Sequence, residues 1–263
     1  QRISLFNAAT DYQQFLASTV IPALLHILAM VIGATTIGRE LRDKQIGRWY
    51  DFIESGHPDL TSIEANTKND IENHKTIAAS TSAADNKTSV IDSKPRKASI
   101  SVLLFGLLGK YFWPTLAYSL WSILALWLAA PQQAVAISSI MATYVGLVLL
   151  MMLSFWLGAI FTLTSFSLRM GLSSTGFISA PSYAFAGVTF PYIAISDSAK
   201  HWSDALPLTH YLKLHIAQLQ MQAPVAISLP IVYGLTLATV IAMFLAALLS
   251  KRALAHPERW GAR

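Results

Sequence analysis

The sequence predicts an all-α integral membrane protein with about five transmembrane helices, and its composition and charge distribution carry that prediction. Of the 263 residues, 54% are hydrophobic and only 13% are charged, about half the charged share of an ordinary soluble domain. The mean hydropathy is +0.47. Between Ser101 and Ser196, the only Asp, Glu, Lys or Arg residues are Lys110 and Arg169. So long a stretch with so few charges cannot form the surface of a soluble protein.

Five apolar runs have the roughly 20 residues that a helix needs to cross the hydrocarbon core of a bilayer. The predicted spans lie at about 15–37, 111–130, 137–164, 172–190 and 227–250. The fourth run contains Pro181 and is rich in serine and glycine, which is typical of a helix packed inside a bundle. The fifth has small residues at four-residue spacing, suited either to a contact within the chain or to a dimer face: Gly234, Ala238, Ala242 and Ala246.

The basic residues beside these runs orient them, because short cytoplasmic loops are enriched in Lys and Arg. Arg39 follows the first span, Lys110 precedes the second, Arg169 follows the third and Lys251 follows the fifth. All four predict the same end as cytoplasmic, so segment 191–226 and the N-terminus are expected outside. An external N-terminus without a signal peptide predicts a further span upstream, in an N-terminally longer protein.

Two polar segments separate the spans. Residues 55–99 are rich in Ser, Thr, Asn, Asp and Lys, so they bury too little apolar surface to offset the entropy of ordering, and we expect a disordered cytoplasmic insertion. Segment 191–226 predicts short external helices at the membrane interface, with a break at Pro207 and headgroup-level anchors at Trp202 and Tyr211. The alternative for this second segment is a plain external loop.

The residue types exclude several kinds of site. The chain has no cysteine, which removes disulfides, thiolate metal sites and a cysteine nucleophile. The stretch Gly106–Tyr111 lacks the spacing of a nucleotide-binding loop, and the basic residues do not form an aromatic-studded patch for nucleic acid. The external histidines are not spaced as metal ligands. His26, near the middle of the first span, is a pathway candidate, or else a neutral imidazole hydrogen-bonded to a neighbouring helix.

The sharpest break in pattern follows the first span, at "TTIGRELRDKQIGRWYDF". An ordinary stop-transfer flank explains the basic residues there but neither the acidic ones nor the aromatic ones. A mixed-charge element with exposed Ile46, Trp49, Tyr50 and Phe52 is suited to docking against a cytosolic partner, since aromatic residues anchor interfaces and charges set their register.

The order of these elements resembles the ABC-2-type transporter permeases, the membrane subunits of ABC exporters. "IGRELRDKQIGRWYDF" is similar to the stretch that follows their second membrane helix, and "LLFGLLGKYFWPTLAY" to the entry of the next one. "YAFAGVTFPYIAISDSAKHWSDALPLTHYL" resembles their closing signature of an apolar helix, a Phe-Pro break and a short external helix. The resemblance covers nearly the whole chain except 55–99, and it implies the type V exporter fold without its first helix.

The resemblance further implies a multi-pass subunit of a bacterial inner membrane that catalyses no bond chemistry. ATP would be bound by a separate ABC ATPase subunit, and a second permease subunit, identical or different, would complete a dimer in the lipid. The implied ATPase-coupling residues are Arg39, Glu40, Leu41, Arg42, Asp43 and Trp49, and those of an outer gate are Pro191, Trp202, Pro207 and Tyr211. The alternatives are a non-transporting membrane scaffold or assembly protein of the same fold, and a membrane-embedded enzyme.

Overall fold

The computed structural model describes residues 12–55, 98–129, 134–186 and 196–261, which are helical or connect helices. Most of the predicted insertion 55–99, together with Pro191, lies outside these residues. The helices are α1 (Tyr12–Arg42), α2 (Ile46–Ser55), α3 (Ile100–Ala129), α4 (Ile137–Ser165), α5 (Leu168–Phe185), α6 (Asp197–Ala205), α7 (Pro207–His215) and α8 (Val225–Ala255). A π-helical turn, Ile216–Gln220, continues α7, and a 3-10 turn, Pro257–Arg259, follows α8.

Four of these helices, namely α1 from Ala17, α3, α4 and α8, are long and apolar enough to cross a membrane. At 1.5 Å per residue, the 30 residues of α3 extend about 45 Å, well beyond a hydrocarbon core of about 30 Å. The fourth predicted span, 172–190, coincides with α5, whose 18 described residues do not meet the same criteria. The structure thus supports a helical membrane bundle, while the number of five spans stays a prediction.

Helix α3 contains the second predicted span, 111–130, and extends eleven residues before it. This first part contains Gly106 and Gly109, which are unfavourable in a helix interior. In the structure one continuous helix begins at Ile100 and runs through Pro114. The glycines are tolerated because α2 packs closely at Gly106, so this first part of α3 is stabilised by tertiary contacts rather than by helix propensity.

Helix α4 is the central helix of the bundle. Of its most apolar stretch 67% is buried, against 17% for α3 and 28% for α8, and it contacts α1, α3, α5, α7 and α8. Helices α1 and α4 run parallel and touch at two glycines. A Cβ atom on Gly33 would collide with the backbone carbonyl of Phe155, and one on Gly158 with that of Met30. The backbones meet there, which is how small residues promote helix contact in a membrane.

The two ends of the bundle differ in charge. At one end, which we call the charged end, Lys110 of α3 binds Glu40 of α1, and the α4–α5 turn meets the end of α8 where Phe166 contacts Arg252. At the other, which we call the outer end, Gln220 donates a hydrogen bond to Ser18 of α1. The charged end carries most of the described basic residues: Arg39, Arg42, Lys44, Arg48, Lys110, Arg169, Lys251, Arg252 and Arg259. This asymmetry agrees with the predicted orientation.

Apolar side chains cover the outside of the bundle. On α3 the most exposed include Trp113 and Trp127, at 72% and 73%, and on α8 Tyr233 is 66% exposed. Surfaces so apolar are suited to lipid. The small residues of α8 lie in two environments. Ala242 and Ala246 are buried in contacts within the chain, whereas a Cβ on Gly234 would meet no atom of the described residues within 4 Å.

Helices α6 and α7 form a hairpin at the outer end, and the predicted break at Pro207 is confirmed. Helix α6 ends at Ala205, and Pro207 is the first residue of α7, where its missing N–H costs nothing. Four residues at helical spacing in α7 and its π-helical continuation are buried: Leu208, Leu212, His215 and Leu219.

Proline also interrupts the outer halves of three longer helices, at Pro22 in α1, Pro181 in α5 and Pro230 in α8. Proline in a helix interior removes one backbone hydrogen bond. Helix α4 contains no proline.

Candidate functional site

The mixed-charge stretch after α1 folds into a compact turn. Helix α1 ends at Arg42, Lys44 adopts a left-handed conformation with φ of 55°, and the N–H of Gln45 donates to the carbonyl of Glu40 over 2.8 Å. The chain then enters α2, which lies against the start of α3. We call the part made by residues 39–55 and 98–110 the elbow.

A single ion pair joins the helices of the elbow. The Lys110 ammonium lies 2.7 Å from a Glu40 carboxylate oxygen, and the two side chains are 16% and 23% exposed. The same ammonium lies 4.4 Å from the centre of the Trp49 ring, a cation–π distance. Since Glu40 belongs to α1, Trp49 to α2 and Lys110 to α3, this group fixes the angle at which α2 leaves the bundle.

The aromatic side chains of α2 are not all exposed, which corrects the prediction of a docking face made by Ile46, Trp49, Tyr50 and Phe52. Ile46 and Tyr50 are buried and Trp49 is half-buried, whereas Phe52 is 53% exposed. Helix α2 is amphipathic, and its apolar face turns inward against α3. The surface that α2 offers to a partner is therefore narrower than the sequence indicated.

The buried Tyr50 ties α2 to the chain where it returns to the bundle. Its hydroxyl donates to a Glu54 carboxylate oxygen at 3.0 Å and accepts the backbone N–H of Ser99, also at 3.0 Å. Burial raises the pKa of this phenol, so it stays a neutral donor. Whatever path residues 56–97 take, this pair of bonds fixes both of their flanks.

The six predicted coupling residues divide between the surface and the interior of the elbow. Arg39, Arg42 and Asp43 are exposed, Glu40 and Trp49 are partly buried, and Leu41 is fully buried. The Arg42 guanidinium donates to both carboxylate oxygens of Asp43, at 2.8 and 3.2 Å, and this bonding lowers the pKa of Asp43. Half of the predicted set thus faces solvent, and the other half holds the elbow together.

A second cluster at the charged end, of aromatic and basic side chains, was not predicted from the sequence. Phe166, in the α4–α5 turn, is fully buried in a left-handed conformation with φ of 55°. The guanidinium carbons of Arg252 and Arg259 lie 5.3 and 4.5 Å from its ring centre. The Trp260 indole N–H donates to the Ala253 carbonyl at 2.6 Å. Phe166 lies far in the chain from both arginines, so no local pattern indicates their contacts with its ring.

His26 is buried and hydrogen-bonded to a neighbouring helix, which is one of the two environments predicted for it. Its Nδ1 lies 2.6 Å from the Ser154 hydroxyl oxygen, and that hydroxyl lies 2.5 Å from the Leu150 carbonyl. The single hydroxyl proton of Ser154 goes to the carbonyl, so Nδ1–H must donate and Nε2 is the bare nitrogen. Among the described residues Nε2 has no hydrogen-bond partner, and neither have the buried hydroxyls of Thr175 and Ser179 on α5. The apolar bundle thus encloses polar groups on α1, α4 and α5.

The predicted outer-gate residues occupy different environments. Trp202 is 56% exposed on α6 and is placed to reach headgroups, whereas Tyr211 is fully buried, which corrects its prediction as an interfacial anchor. The Tyr211 hydroxyl lies 3.2 Å from Nδ1 of His215, and burial lowers the pKa of His215 to about 4. Pro207 begins α7, and Pro191 lies outside the described residues.

Within the described residues, no group of three His, Asp or Glu side chains is placed to hold a metal ion. The chain matches no family model, no curated protein and no solved structure. Its candidate site is therefore the elbow, a rigid mixed-charge surface at one end of a helical bundle suited to a membrane.

Proposed function

We propose that this chain is the permease subunit of an ATP-driven exporter in a bacterial inner membrane. It provides the membrane pathway and couples to a separate ATPase subunit through the elbow. The observation that carries the proposal is the Glu40–Lys110–Trp49 group, because it makes the elbow one body with α1 and α3. A force applied to α2 reaches two transmembrane helices directly, which is what coupling requires.

The docking surface of the elbow consists of its exposed side chains. Phe52 supplies apolar contact area, and Arg48, one turn before it, supplies charge on the same exposed face. Arg39, Arg42 and Asp43 extend the charged part of this surface. An exposed aromatic residue rimmed by charges is the usual composition of an interface anchor.

The pathway is expected beside α5 rather than between α1 and α4. The backbones of α1 and α4 are in contact at Gly33 and Gly158, which closes the space between them. Helix α5 is polar, and its exposed Gly176 and Ala180 form a flat face with nothing within 4 Å of a Cβ on Gly176. We place the second permease subunit against this face, so that the polar helices of two subunits line the route of the cargo.

The test is co-expression of the chain with a candidate ABC ATPase subunit, followed by affinity purification. Phe52→Ala removes the anchor from the docking surface, and we expect about tenfold less ATPase to co-purify, as for loss of an interface hot spot. Trp113→Ala is the matched control, because Trp113 is also exposed and aromatic but lies on the apolar outside of α3. Equal ATPase recovery from both variants would refute docking through the elbow and favour the scaffold alternative.

A further inference from the structure

A groove opens on the outside of the bundle where α5 passes α4. Its volume is about 450 Å³, and it is lined by Phe161 of α4 and by four residues of α5: Ser173, Ser174, Phe177 and Ile178. The lining is mainly apolar, with the two serine hydroxyls toward the charged end. Phe177 is 77% exposed at the rim, so the groove is open along its length rather than closed over.

A cation precedes this groove along α5, on the side of the charged end. Arg169 is one helical turn before Ser173, on the same face of α5, and its side chain is exposed. In the described part of the chain, Arg169 has no carboxylate partner. The groove therefore combines an unpaired positive charge, then hydroxyl groups, then aromatic and aliphatic side chains, in that order along α5.

The length of this row of side chains along α5 matches the thickness of one leaflet of a bilayer. Phe177 lies eight residues after Arg169, a rise of about 12 Å, which is slightly less than half of a hydrocarbon core about 30 Å thick. Because α4 is one of the helices suited to cross the membrane, a groove along it opens sideways to lipid. An occupant must be negatively charged at the headgroup level and apolar below it.

We propose that this groove binds an anionic phospholipid of the leaflet at the charged end. Arg169 contacts the phosphate, the hydroxyls of Ser173 and Ser174 bond the headgroup or ester oxygens, and an acyl chain lies against Phe161 and Phe177. The flat face at Gly176 and Ala180 adjoins Arg169 but lies on the opposite flank of α5 from Ser174, so a second copy seated there leaves the apolar part of the groove open to lipid. The inference concerns lipid alone and does not rest on the transport role.

The experiment is native mass spectrometry of the purified full chain, titrated with phosphatidylglycerol or phosphatidylcholine bearing identical acyl chains. The wild type should retain phosphatidylglycerol more strongly. Arg169→Gln should weaken that retention about fivefold, the change expected for one cation at an anionic surface, and leave phosphatidylcholine unchanged. Arg48→Gln, at an exposed arginine of the same end but on α2, is the matched control and should change neither.

A second variant tests the apolar part of the groove. Ser174→Phe fills the space beside Phe161 and should lower retention of both lipids. Unaltered retention by Ser174→Phe would overturn the proposal, because the acyl chain would then lie elsewhere. Equal losses of phosphatidylglycerol from Arg48→Gln and Arg169→Gln would also overturn it, since they would indicate a diffuse attraction to the whole charged end.

Discussion

Replacing Gly158 by alanine tests the close contact between α1 and α4 on which the bundle is built. The added methyl group would collide with the Met30 carbonyl oxygen and would lie 2.8 Å from the Ala34 nitrogen. Both are backbone atoms, so a change of rotamer cannot relieve the overlap and the two helices must move apart. Their separation would also stretch the hydrogen bond that Thr162 donates to the Ala34 carbonyl, now 3.3 Å long.

The expected cost combines three terms. Overpacking of a tight contact costs about 1–3 kcal/mol. Loss of the Thr162 hydrogen bond adds about 0.5–1.5 kcal/mol. Replacing a helical glycine by alanine returns about 1 kcal/mol through helix propensity. We therefore expect Gly158→Ala to lower the free energy of unfolding by about 0.5–3.5 kcal/mol.

Gly234→Ala provides the comparison, because a Cβ there meets nothing within 4 Å. It gains the same helix propensity without the overlap, so it should stabilise the chain by up to about 1 kcal/mol. Thermal or denaturant unfolding of the two variants and the wild type, purified in the same detergent, measures the difference. If Gly158→Ala were as stable as Gly234→Ala, the close approach of α1 and α4 would be refuted.

Three further perturbations test polar contacts. Lys110→Met and Glu40→Gln should each cost about 1–3 kcal/mol of unfolding free energy, because each leaves a partly buried charge unpaired, and the exchange E40K/K110E should recover part of it. Ser154→Ala removes the acceptor of His26 Nδ1 and should cost about 1–3 kcal/mol, whereas H26L/S154A, which removes both partners, should cost less; unfolding of the purified variants measures both. Burial lowers the pKa of His215 from 6.5 to about 4, so its neutral form is favoured by folding. The stability from His215 is complete above pH 6.5 and is lost as the pH falls toward 4, and His215→Gln should flatten that part of a Tm–pH curve.

The matched control for the pH experiment is His201→Gln, since His201 is exposed on α6. It should leave the Tm–pH curve of the wild type unchanged. A loss of acid sensitivity in His201→Gln but not in His215→Gln would contradict the assignment. For the ion pair, an E40K/K110E variant no more stable than the single substitutions would show that Glu40 and Lys110 act separately.

The sequence predicts structural features correctly where they depend on residues that are neighbours in the chain. A span needs a continuous apolar run, so four predicted runs coincide with four helices suited to cross a membrane. Proline cannot continue a helix, so the break at Pro207 was predictable. Each of these inferences depends on residues close to one another in the chain.

The errors concern contacts between distant segments. Tyr50 was expected on the surface because it follows a run of charges, but its hydroxyl bonds Ser99, which lies beyond the insertion. Lys110 served only to orient the second span, since nothing near it in sequence shows that Glu40 is its partner. Tyr211 was assigned to the interface because its ring is amphipathic, although α7 packs inward. Burial in a helical bundle is decided by neighbouring helices, and one sequence does not specify them.

The distribution of prolines makes the two ends of the bundle unequal in stiffness. Three of the four prolines inside the described long helices, Pro22, Pro181 and Pro230, each remove a backbone hydrogen bond from the outer half of a helix, which lets that half bend at small cost, whereas Pro114 lies at the middle of α3. The charged end is held by an ion pair and by cations stacked on an aromatic ring. Helix α4, which contains no proline, runs from one end of the bundle to the other without such an interruption. We therefore expect thermal motion to separate the helices more at the outer end than at the charged end.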